Sequence, residues 1–148
     1  MAAVRRADAT WSGDLPSGKG AVSGSSSGVF KQLDVSWARR SEADANGVTS
    51  PEELLAAAHA SCFAMALSAG LGRAGHPPQS LNVSAQVTFD KVGEGFGVVS
   101  SALEVRGRVP GIDQAAFQQA AEGAKDGCPI SKALKGNVEM SVKATLES

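Results

Sequence analysis

From Leu54 to Gly72 the chain runs nineteen residues without an Asp, Glu, Lys or Arg. The run is bounded on both sides by helix punctuation. Ser50 can cap a helix, Pro51 suits its first position, and Glu53 completes a Ser-x-x-Glu capping box. At the far end Gly75, His76 and then Pro77-Pro78 stop it. A helix of this length could cross a bilayer. Its Ala-rich composition, with His59, Ser61, Ser68, Gly70 and Gly72 inside it, would make a weak span, so the reading is a helix buried on most sides within protein and not in a membrane.

The segments around this helix read as strands. Trp11-Ser12-Gly13-Asp14 and Gly18-Lys19-Gly20 punctuate the first part, Ser23 to Gly28 is a loose turn, and Gln32 to Trp37 alternates with Leu33, Val35 and Trp37 on one side. After the helix, Leu81, Val83, Ala85, Val87 and Phe89 alternate with polar residues up to a turn at Gly93-Glu94-Gly95. The return strand puts Val99, Leu103, Val105 and Val109 in one phase, with Ser101 and Gly107 among them. Asp113 caps a second helix that Gly127 can close in a left-handed turn, and Pro129 begins a short third one ending at Gly136. Val138, Met140, Val142, Ala144 and Leu146 form a last alternating strand. This order defines an α+β fold, helices on largely antiparallel sheet, in a single domain of 148 residues.

A net charge of −1 leaves no basic excess with which to neutralise phosphates, so neither nucleic acid nor an anionic membrane is an expected partner. Met1 to Asp8 carries Arg5 and Arg6 without an apolar core behind them, so a cytoplasmic location is expected. In that compartment Cys62 and Cys128 are not expected to form a permanent structural disulfide. They are buried thiols, metal ligands or redox groups.

Cys62 lies too far into the helix to feel its N-terminus, so a stabilised thiolate there needs a cation from elsewhere. Arg39 and Arg40, at the end of the strand before the helix, are the candidates, and Glu52 has no capping duty and could orient one of them. About 15 Å of helix would separate Glu52 from Cys62, and they would be turned about 80° apart. That geometry points to a site assembled across a dimer. Cys128, followed by Pro129, would sit near free N–H groups that favour a thiolate and a good leaving group. Two other readings stay open: a zinc module drawing on His59, Cys62, Cys128 and His76, and a non-catalytic dimer that binds small apolar ligands.

The run Thr49-Ser50-Pro51-Glu52-Glu53-Leu54-Leu55-Ala56-Ala57-Ala58-His59-Ala60-Ser61-Cys62-Phe63-Ala64-Met65-Ala66-Leu67-Ser68, together with Gly127-Cys128-Pro129-Ile130-Ser131, resembles the OsmC/Ohr family, in particular its osmotically inducible protein C branch. Trp11-Ser12-Gly13, Gly18-Lys19-Gly20, Asp90-Lys91-Val92 and Val109-Pro110-Gly111-Ile112-Asp113 support the likeness over nearly the whole chain. The resemblance implies antiparallel sheets wrapped around long central helices in an intertwined homodimer, with active sites at the subunit interface. It implies a thiol peroxidase that reduces organic hydroperoxides, in which Cys62 attacks and Cys128 resolves the sulfenic acid. It also implies Arg40 and Glu52 as site residues, no bound cofactor, and an external dithiol such as a dihydrolipoyl group as reductant. Read from the residues alone, Phe63, Met65, Leu67 and Phe117 could line an apolar wall for an organic peroxide or be simply core.

Overall fold

The computed structural model describes residues 1–147. The chain divides into two compact units, Met1–Leu54 and Leu55–Ser148. In the first, β1 (Asp8–Ser12), β2 (Lys19–Ser23) and β3 (Leu33–Val35) form an antiparallel three-stranded meander. Register pairs Trp11 with Gly20. The indole lies so close over Gly20 and Gly18 that a Cβ on either would come within 2.7 and 2.9 Å of its ring. The Gly18-Lys19-Gly20 motif is therefore a seat for Trp11, whose Nε1–H donates to the Gly13 carbonyl at 3.0 Å.

The strand expected to reach Trp37 stops at Val35. Ser36 accepts the Arg39 N–H at 3.3 Å through its hydroxyl and caps a short helix, α1 (Trp37–Ser41), that carries both arginines. The competing side-chain cap takes the backbone out of the ladder, and alternation of apolar residues could not reveal it.

The long helix α2 (Pro51–Arg73) starts as its sequence dictates, with Ser50 Oγ accepting the Glu53 N–H at 3.1 Å. The reciprocal arm of the capping box is diverted: the Glu53 carboxylate accepts the Thr49 hydroxyl at 2.6 Å. By length and composition α2 could cross a membrane. It instead places His59, Phe63, Leu67 and Leu71, spaced four apart, in the core of the second unit. It is not buried on most sides as expected: beyond Glu52 in its first turn, this stripe is what it buries, and Met65 on another face is 72% exposed.

The sheet of the second unit contains β4 (Ser80–Val92), β5 (Gly95–Arg108) and β6 (Glu139–Leu146), in the order β4-β5-β6. β4 and β5 form an antiparallel hairpin around Gly93, whose φ is +59°, with a bulge opposite Thr88/Phe89. β6 runs parallel to β5, so the sheet is mixed and not antiparallel throughout. The cause is the connection: α3 (Gln114–Gly127) and α4 (Pro129–Leu134) cross over from the end of β5 and return the chain in the same direction. Ser101, Leu103, Val105 and Gly107 are the buried phase of the central strand, and Val109 just past its end is buried too. Gly107 is needed because a Cβ there would come within 2.5 Å of the fully buried Phe117 ring.

Candidate functional site

The second unit brings Cys62 of α2 and Cys128 together, although sixty-six residues of sequence separate them. Both are free thiols, and the Cys62 thiol donates to the Cys128 sulfur. Cys62 is partly exposed and Cys128 is fully buried. Cys128 joins two helices: its N–H closes α3 on the Ala124 carbonyl at 2.9 Å, and its carbonyl accepts the Lys132 N–H of α4 at 3.0 Å. Its extended conformation, φ −62° and ψ 128°, is what Pro129 requires of the preceding residue. This arrangement replaces the left-handed closure expected at Gly127.

The two thiols differ in acidity. Burial pushes Cys62 up, the neighbouring Cys128 sulfur adds to the rise, and the Ile130 N–H opposes it. Burial would also raise Cys128. The Ser131 N–H, the Cys62 thiol, the Ser131 hydroxyl and the Ile130 N–H outweigh it, and Cys128 ends below an ordinary thiol.

His59 lies one turn before Cys62 and is fully buried. Its Nδ1 meets the Ser101 hydroxyl at 2.7 Å and its Nε2 meets the Ser131 hydroxyl at 2.8 Å. Both ring nitrogens are thus engaged in hydrogen bonds. Burial lowers the His59 pKa and favours the neutral ring. Sequence reasoning did not single out Ser101 or Ser131, though a serine in the inward phase of β5 was the visible signal.

In the first unit, Glu52 is buried and grips Arg40. Arg40 Nε donates to both carboxylate oxygens at 3.1 Å, and Nη2 donates to Oε1 at 2.8 Å. Arg39 turns away to Glu42 at 3.2 Å. Of the two neighbouring arginines, Arg40, the one the resemblance implied, is thus the one that Glu52 holds. Arg40 also lines a cavity of about 370 Å³ with Trp11, Leu15, Val35, Ser36, Trp37 and Pro51. Of the candidate apolar wall residues, Phe63, Leu67 and Phe117 have no exposed surface and are core, the other of the two readings the sequence left open.

Fold and site together define an α+β protein that carries a pair of free cysteines, one donating to the other, and, separately, a carboxylate-clamped arginine at an apolar cavity. The family model described as OsmC-like protein matches residues 44–143, and the chain belongs to that family. It is 43% identical over 140 residues to the Escherichia coli (strain K12) protein named peroxiredoxin OsmC, covering 95% of this chain and 96% of that one. It is 34% identical over 95 residues to the organic hydroperoxide resistance protein of Xanthomonas axonopodis pv. citri (strain 306), covering 64% of this chain and 65% of the other. Among solved structures, the organic hydroperoxide resistance protein OhrB of Bacillus subtilis superposes with a TM-score of 0.72 at 25% identity, over 95% of this chain and 98% of that one.

Proposed function

We propose that the protein is a cysteine-based peroxidase that reduces organic hydroperoxides to alcohols. The observation that carries this reading is the Cys62–Cys128 thiol pair, partly exposed on one side and buried on the other. Cys62 is the thiol a peroxide can reach. Its thiolate attacks the peroxide oxygen, the O–O bond breaks, an alcohol departs and Cys62 is left as sulfenic acid. Cys128 condenses with it to a disulfide and water is released. An external dithiol, such as a dihydrolipoyl group, restores both thiols by exchange. The names of the Escherichia coli and Xanthomonas relatives support the reaction class.

Burial and Cys128 together raise the Cys62 pKa, so its thiolate requires a cation. In this reading Arg40, held by Glu52, supplies it, and the apolar walls beside Arg40 suit the organic part of the substrate. The protein works as a homodimer in which a second copy covers the exposed face of α2, which carries no charge from Leu54 to Gly72. A reducing compartment such as the cytoplasm keeps both thiols free at rest.

The test is consumption of cumene hydroperoxide with dihydrolipoamide as reductant, on wild type and Cys62→Ser in parallel. Turnover by wild type that disappears in Cys62→Ser is the expected result. Equal traces from both proteins would defeat the assignment.

A further inference from the structure

The mechanism above makes no use of the fully buried His59, and its surroundings suggest a use. The Ser131 hydroxyl has a single proton and two neighbours to serve: His59 Nε2 at 2.8 Å and the Cys128 sulfur. If Nε2 carries the imidazole proton, it donates to Ser131 Oγ, and the serine proton is then free to point at sulfur. The other nitrogen, Nδ1, accepts the Ser101 hydroxyl proton at 2.7 Å. Every hydrogen bond in the row Ser101, His59, Ser131, Cys128 then runs in one direction and ends at a thiolate, with the imidazole neutral throughout. A row of this polarity stabilises negative charge on Cys128 without burying a cation beside it.

We propose that His59 is a positioning residue for the resolving step, turning the Ser131 hydroxyl as a donor toward Cys128 so that Cys128 meets the Cys62 sulfenic acid as a thiolate. The inference rests on the peroxidase reading. In the step itself the Cys128 electron pair forms the S–S bond as the S–O bond of Cys62 breaks. The departing hydroxide takes up a proton equivalent to the one Cys128 gave up, and one water leaves. The titratable group set directly against Cys128 is Cys62 of α2; its other influences are the Ser131 and Ile130 N–H groups and the Ser131 hydroxyl, all on α4. His59 reaches it only through Ser131. The effect of the pair is therefore separable from that of Cys62.

The experiment follows disulfide closure by itself. Reduced full-length protein receives a stoichiometric pulse of cumene hydroperoxide at a series of pH values. Quenched samples are then read by mass spectrometry for dimedone-trapped Cys62 sulfenic acid against the Cys62–Cys128 disulfide. In Ser131→Ala and His59→Leu the pH midpoint of closure should rise by about one unit, with about tenfold slower closure below it. Ser131→Thr, which keeps the hydroxyl, should return the midpoint towards the wild-type value. Ser131→Ala removes one oxygen and serves if His59→Leu does not fold. An unmoved midpoint in folded Ser131→Ala, with wild type closing normally, overturns the role of His59 and leaves the peroxidase intact. Wild type that forms no disulfide after the pulse overturns both.

Discussion

Cys62 and Cys128 are the same side chain in opposite circumstances. One is reached from solvent and raised by burial and by its neighbour; the other is sealed and held low by N–H and O–H donors. A low-pKa buried thiol is suited to resolve a sulfenic acid and later to leave from the disulfide. Cys128→Ser should therefore still reduce one equivalent of cumene hydroperoxide but accumulate Cys62 sulfenic acid and its over-oxidised forms, seen as added oxygen masses with no disulfide. His59 offers a second prediction, on stability. Burial lowers its folded pKa below the ordinary 6.5, so between those two values the unfolded chain binds more protons than the folded one. Stability contributed by the neutral ring is complete above pH 6.5 and is lost as pH falls towards the folded pKa, by at most about 1.4 kcal/mol per pH unit. Urea midpoints of wild type should drop between pH 7 and pH 5.5 by more than those of His59→Gln. Parallel drops would remove His59 from the acid response.

Among the elements, β6 shows how a helix can finish a sheet. It is an edge strand whose outward N–H and C=O groups would otherwise be open to another chain. Gln118 on α3 donates to the Val142 carbonyl at 3.1 Å and accepts the Ala144 N–H at 2.8 Å. One turn earlier, Gln114 donates to the Ala144 carbonyl at 2.8 Å and accepts the Leu146 N–H at 2.7 Å. The two amides act as a substitute strand. Gln118→Met should cost about 1–3 kcal/mol in chemical denaturation, because two strand groups lose their partners. No loss of stability would mean that water replaces the amide. Nothing in the sequence marks these glutamines, since their partners lie some thirty residues away. By contrast Ser50, Pro51 and Asp113 were legible because caps are local, and the long strands were legible because alternation is local. The parallel sense of β6 and the helix at Trp37–Ser41 were not, for pairing direction and a serine cap depend on contacts that periodicity does not encode. In the candidate site, sequence supplied the residue types and resemblance pointed to Arg40; the bonds by which Glu52 grips it needed three dimensions.

At the scale of the molecule, α2 is more apolar than one chain's core demands. Its buried stripe is His59, Phe63, Leu67 and Leu71, yet no charge interrupts the helix from Leu54 to Gly72 and Met65 stands 72% exposed. An uncharged helix face left open to water suits association with a second copy. In the proposed dimer the arginine serving a given Cys62 comes from the other chain. That arrangement has a genetic signature. Arg40→Ala and Cys62→Ser homodimers should each be inactive towards cumene hydroperoxide. Heterodimers made by co-expressing the two differently tagged variants should recover activity, because one of their two sites joins an intact Cys62 from one chain to an intact Arg40 from its partner. If both residues of a site belonged to one chain, every site of the heterodimer would carry a lesion and the purified mixture would stay as inactive as its parents.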